Sequence, residues 1–193
     1  LGQRASWLIR LRWLAATAVV LGTFVCARIL HISVREVPLY TIAALLLLYN
    51  AVVLNLLTRL SKAISMRRMK IVIDLQIAAD LIILTFLLHF SGGPENPFIL
   101  FYVFHVIIAS ILLSVWESFL HATLAVSLFG ILMMLESTGL VSHVCLQGLV
   151  HHCRYEEKAY LMAMFATFSV TVYLVVYLAG YISVKLRRAE EAQ

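Results

Sequence analysis

The sequence predicts an all-α, polytopic membrane protein of six transmembrane helices with both termini in the cytoplasm. Three observations carry that expectation. First, 63% of the 193 residues are hydrophobic, only 13% are charged, and the mean hydropathy is +0.97, whereas soluble domains sit near 45–50% apolar and about 25% charged. Second, the chain divides into six long windows almost free of charge. Third, Lys and Arg gather at alternate ends of those windows. An ordinary soluble enzyme, a disordered tail and a disulfide scaffold are excluded, and the net charge of +5 needs no nucleic acid to explain it. At about 20 residues per crossing, six spans use up the chain and leave no room for a soluble catalytic domain.

The windows Trp13–Ala27, Val37–Thr58, Asn96–Trp116, Ser118–Leu135 and Ala159–Val184 hold no Asp, Glu, Lys or Arg, and Ile71–Phe90 holds only Asp74 and Asp80. They give spans at about 8–29, 37–58, 71–90, 97–115, 118–136 and 158–185. Arg10 and Arg12 interrupt the first window and are expected to snorkel to the headgroups. Residues 1–185 read as one membrane domain, and 186–193 as the start of a cytoplasmic linker. The chain opens at Leu1 and stops in a charged run, so it reads as a segment of a longer protein.

Six spans place both ends on one side. That side carries eleven of the fifteen Lys and Arg residues, including the run Arg59–Lys70, and the other side carries Arg28, Arg35, Arg154 and Lys158. The bias makes the termini cytoplasmic, and the basic loop is an orientation determinant in contact with anionic lipid.

The turn between the third and fourth spans, Ser91–Phe98, is dense in signals. Gly92 and Gly93 suit a left-handed helix end, Pro94 stops the helix, and Asn96 followed by Pro97 is a cap with proline at the first helical position. A plain outer hairpin accounts for these residues. Three features exceed it: the paired glycines admit a close backbone approach, Glu95 puts a carboxylate beside a helix start, and Phe98, Phe101, Tyr102 and His105 recur at helical spacing.

Gly92-Gly93-Pro94-Glu95-Asn96-Pro97-Phe98 resembles the G-G-x-x-N-P-F heptapeptide of the RegB/PrrB-type redox-sensing histidine kinases, which lies in an outer loop between membrane spans. The six-span layout with inside termini is similar too. The resemblance implies a sensor region that binds a respiratory quinone, ubiquinone or menaquinone, and reports to a kinase core that autophosphorylates from ATP and serves a response regulator. It also implies a bacterial inner membrane. A quinone head needs a flat apolar slot and a few hydrogen-bonding groups. Gly92, Gly93, Glu95, Asn96, Pro97, Phe98, Phe101, Tyr102 and the neighbouring His89 are the candidates.

Other polar residues invite separate readings. Asp80 lies mid-span, as a relay or as a partner of a polar side chain such as Asn50 or Asn55. Asp74 is expected to pair with Lys70 or Arg67. His105 is a second relay candidate, while His89, His105 and His121 differ too much in depth for one metal site, and neither metal nor haem is expected. His143, Cys145, His151, His152 and Cys153 are weak metal ligands, ranked behind unbonded cysteines and a Cys145–Cys153 disulfide. Tyr173, Tyr177 and Tyr181, with the small residues Ala159, Ala163 and Thr167, suggest that the sixth helix forms a homodimer face. A small transporter, or a haem or quinone redox carrier using Asp80 and the intramembrane histidines, is the alternative.

Overall fold

The computed structural model describes residues 2–60, 66–146 and 153–191. They form six α-helices and, among the described residues, no strand: α1 (Gly2–Phe24), α2 (Glu36–Leu60), α3 (Met66–Phe90), α4 (Phe101–Leu112), α5 (Val115–Ser137) and α6 (Lys158–Glu191). Five are long and apolar enough to cross a bilayer. The fourth is shorter. Asn96 caps a 3-10 turn, Pro97–Leu100, that feeds α4, and the two together reach about 26 Å against a hydrocarbon core of about 30 Å.

Each boundary has a local cause. α1 ends in a π-turn at Val25–Ile29, followed by His31 at φ +53°. Only Leu113 and Ser114 separate α4 from α5. Ser114 starts α5 with a capping box, in which its backbone N–H and hydroxyl donate to Glu117 at 2.8 and 2.6 Å. The S-x-x-E signature is visible at Ser114–Glu117, so the fifth helix starts ahead of the expected residue 118. α6 continues past Val184 through the charged segment, with no glycine or proline to break it there.

α3 is the central helix. One face joins Leu81, Leu84 and Leu88 to Tyr102 of α4, Phe129 of α5 and Phe168 of α6. Another face packs Ile73 and Ile77 on Leu8 and Ile9 of α1 and on Ile108 and Leu112 of α4. α1 and α2 lie against each other beside this core, and α6 covers α4 and α5.

The depth of α1 is fixed by Arg12, which corrects the expectation that it snorkels. Its side chain is 5% exposed, and Nε donates to both oxygens of Asp80 at 2.8 and 3.0 Å. One terminal nitrogen donates to Asp80 Oδ2 at 2.8 Å and the other to Gln76 Oε1 at 2.9 Å, while Tyr49 lies under the guanidinium at 5.1 Å. A guanidinium whose donors converge on one carboxylate and one amide is satisfied without water. The partner of Asp80 is therefore Arg12, and Asn50 instead donates to the Ile9 carbonyl at 3.0 Å. Asn55 accepts from Arg59 at 2.8 Å.

Two further pairings differ from expectation. Lys70 pairs with Glu117 at 2.9 Å, not with Asp74. Asp74 faces His121 instead, whose Nε2 lies 3.2 Å from the Asp74 carbonyl and whose Nδ1 lies 2.9 Å from the Glu117 carbonyl. The start of α5 brings both groups to α3, because Glu117 and His121 lie one helical turn apart.

Removing one partner of a buried pair leaves the other charged and unsolvated, at about 3–5 kcal/mol. Arg12→Ala is expected to lower the thermal midpoint of the detergent-solubilised protein by that equivalent, and Arg12→Met with Asp80→Leu to recover most of it. An unchanged midpoint in Arg12→Ala would contradict the pairing.

Candidate functional site

The outer end of α3 ends at Phe90, and the chain reverses over Ser91–Asn96. Gly92 and Gly93 take φ +114° and +54°, the left-handed values anticipated for a helix end. Asn96 is 3% exposed and holds the turn from both sides. Its Oδ1 accepts from the Phe98 N–H at 2.8 Å, and its Nδ2 donates to the Ser91 carbonyl and hydroxyl, each at 2.6 Å. Its amide is spent on the turn itself.

The space above the glycines is filled by this chain. A side chain on Gly92 would collide with Leu146, and one on Gly93 with the carboxylate of Glu136. The close approach that two glycines permit is thus made by the loop after α5 and by the last turn of that helix.

Glu136 organises the region. It is 1% exposed, in the final turn of α5. A carboxylate is unfavourable at a helix C-terminus and costlier still without water, so its oxygens need donors. His89 of α3 supplies Nδ1 to Oε1 at 2.7 Å, and His143 of the outer loop supplies Nδ1 to Oε2 at 2.6 Å. On its far edge, His143 Nε2 faces Glu95 Oε2 at 3.8 Å, with both side chains 3% exposed. Glu95 Oε1 accepts the backbone N–H of Arg154. Glu95 therefore lies beneath the loop.

Two clamps hold the loop down. Cys145 and Cys153 form a disulfide, so the pairing ranked second from sequence is the one made, and an unbonded state is corrected. Arg35 donates to the Ser142 hydroxyl at 2.8 Å, and its N–H to the Phe90 carbonyl at 3.3 Å. The His143 ring also stacks on Tyr155 at 4.4 Å. His151 and His152 lie outside the described residues.

The aromatic residues after the turn divide into two sets. Phe98 and Phe101 are stacked, with centroids 5.4 Å apart and planes 5° from parallel, and are 53% and 44% exposed. Tyr102 is fully buried against Phe129 and Phe168, and its hydroxyl pairs with Thr85 at 2.6 Å. The expectation of one shared face fails because residues 97–100 are 3-10, where i and i+3 eclipse. Phe98 thus aligns with Phe101 and not with Tyr102. His105, one turn beyond Phe101, sets Nδ1 2.7 Å from the Phe101 carbonyl.

The turn therefore joins His89, Gly92, Gly93, Glu95 and Asn96 to Glu136 and His143. Phe98, Phe101 and His105 are left on an outward stripe, and Asp80 is in the Arg12 pair. Glu136 is the member that sequence reasoning missed; an acid in the last turn of an otherwise apolar span was its signal. Gly93→Ala drives a Cβ into Glu136, whereas Gly139→Ala, at φ +72° with open space around it, meets only backbone strain. Expected thermal destabilisation is roughly 1–2 kcal/mol for Gly139→Ala and clearly more for Gly93→Ala. Equal losses would mean that Glu136 does not lie over the glycine.

No curated protein and no solved structure matches the chain. A family model described as the PilS-like transmembrane domain matches residues 1–193. Five helices of spanning length, the shorter α4, and an end-to-end family match agree: the chain is a multi-pass membrane protein and belongs to the PilS-like family of six-span domains, the membrane sensor regions of histidine kinases.

Proposed function

We propose that this domain is the input region of a redox-responsive histidine kinase in the cytoplasmic membrane of a bacterium, and that its ligand is ubiquinone or menaquinone. The observation that carries the ligand is the stacked and exposed Phe98–Phe101 pair, directly after the Gly92–Pro97 turn. A flat, lipid-soluble ring can stack there without displacing any side chain of the bundle, with its isoprenoid tail in the acyl region.

His105 gives the stripe a means of telling the two redox forms apart. Its Nδ1–H donates to the Phe101 carbonyl, which leaves the lone pair on Nε2. A quinol hydroxyl can donate to that nitrogen; a quinone carbonyl cannot. One hydrogen bond contributes about 1 kcal/mol, roughly a fivefold preference for the reduced form. A ligand shifts a conformational equilibrium only through such a difference. α6 is the output: Tyr177 and Tyr181 are 63% and 56% exposed, Ala159, Ala163 and Thr167 also face outward, and a homodimer through this face would pass a change in packing to the kinase core and its response regulator.

A second placement is favoured by a largely apolar groove of about 630 Å³ between α2 and α3, lined among others by Leu45, Tyr49, Ile83, Phe86 and Phe90. Its upper end, Phe90, adjoins the turn.

The test titrates the chain in nanodiscs with short-chain ubiquinone and ubiquinol, reading the thermal midpoint. Both forms are expected to stabilise the wild type, ubiquinol more. Phe98→Ala with Phe101→Ala should abolish both shifts, and His105→Ala should equalise them. Ile83→Trp, which fills the groove, takes the place of the phenylalanine variant if the groove is the site. Wild-type shifts in both variants would overturn a quinone site at either place.

A further inference from the structure

The outer cap holds two acids and two imidazoles in one buried line. Glu136 pairs with His89 Nδ1 at 2.7 Å and with His143 Nδ1 at 2.6 Å, which occupies both of its oxygens. His143 then points Nε2 at Glu95 Oε2, 3.8 Å away. Glu95 Oε1 takes the backbone N–H of Arg154. The Glu136 side chain is 0% exposed, and those of His143 and Glu95 are 3% exposed. Among the described residues His89 faces one carboxylate, and His143 is the ring that faces two.

A buried carboxylate needs a donor or a positive charge beside it. With Nδ1–H given to Glu136, one choice remains for His143: a proton on Nε2, or a lone pair there. The proton makes an imidazolium with a carboxylate at each end. The lone pair sets one acceptor against another where water is excluded. The Glu95–His143 pair therefore holds one proton while the loop is closed, and the imidazole, as the stronger base, carries it. Tyr155 stacks on this ring at 4.4 Å, and an aromatic face favours a cationic partner.

The other charged and titratable groups around the cap leave that role to His143. Arg154 sets its guanidinium over the Tyr160 ring at 5.6 Å, and Arg35 donates to the Ser142 hydroxyl. Glu156 is bonded to the Tyr155 phenol, and Glu157 lies beside Tyr160. The two sulfurs within 4.8 Å of Glu95 are joined as a disulfide and carry no charge. Among the described residues no Lys or Arg forms an ion pair with Glu95 or Glu136; their cationic partners are the two histidines.

We propose that the outer cap is a proton-binding switch. Protonated His143, held between Glu95 and Glu136, fastens the loop over the Gly92–Asn96 turn, and loss of that proton to the outer solution releases it. Histidine is the side chain whose ordinary charge change falls between about pH 5 and 8. Closing takes up one proton, so linkage favours the closed cap at low pH and weakens it as pH rises. Release lifts Leu146 from Gly92 and loosens Glu136 over Gly93, the contacts that tie α5 and its loop to the turn between α3 and α4. The domain thereby gains an input for outer acidity. This input stands independently of the quinone reading, since it shares no residue with the Phe98–Phe101–His105 stripe.

The experiment uses the full chain in nanodiscs. Opening is read by hydrogen exchange at the Arg154 amide, which bonds to Glu95, after correction for the intrinsic effect of pH. One proton taken up on closing means that protection falls about tenfold per pH unit from about pH 6 to 8. His143→Gln keeps an N–H for Glu136 but takes up no proton, and Glu95→Gln removes the facing charge; each should flatten the pH dependence. His89→Gln should retain it. In the wild type, 15N NMR of the His143 ring at about pH 6 should show both nitrogens protonated. A pH dependence unchanged in His143→Gln or in Glu95→Gln, or abolished in His89→Gln, would overturn the proposal. A lone pair on Nε2 in the wild-type spectrum would overturn it too, whether or not the variants fold.

Discussion

A bilayer offers no water to a buried polar group, and this constraint places nearly every polar side chain in the bundle. Each must find its partner within the chain. Arg12 meets it with Asp80, Gln76 and the Tyr49 ring. Glu136 meets it with His89 and His143. The apolar contacts between helices are interchangeable with lipid contacts in a way that these are not. Packing supplies close contact, and the polar pairs supply register. α1 cannot slide against α3 without exposing Asp80, and the outer loop cannot lift from the turn without stranding Glu136.

The two polar clusters divide the molecule. The inner one joins α1, α2, α3 and α5: Arg12 reaches α3, Asn50 of α2 reaches the Ile9 carbonyl, and Lys70 and His121 tie α3 to α5. The outer one joins α3, α5 and two loop segments, and Glu95 Oε2 and His143 Nε2 have no hydrogen-bond partner there. Gln76 Nε2 and Asn50 Oδ1 also have no hydrogen-bond partner, but they belong to neutral amides. Glu95 Oε2 and His143 Nε2 face each other at 3.8 Å beneath the loop.

The six helices were legible because hydrophobic windows and positive flanks are local properties. So was the Gly92–Phe98 turn: Asn96 caps, Pro97 follows it, and both glycines take the backbone angles that only glycine adopts readily. The capping box at Ser114–Glu117 was equally readable, and moves the start of the fifth helix. The division of Phe98 and Phe101 from Tyr102 was not, because it depends on one 3-10 turn, and a 20° change per residue reassigns the face of everything after it.

Taken alone, the sequence determined the membrane class, the number of helices and the position of the outer turn, since each follows from composition or from residues adjacent in the chain. Tertiary structure decided which polar residues are partners. Arg12 and Asp80 are 68 positions apart, His89 and Glu136 47, and Glu95 and Arg154 59. No local rule selects among so many candidates. Helix depth and rotation do, because they bring one particular donor to each buried acceptor where no water can stand in.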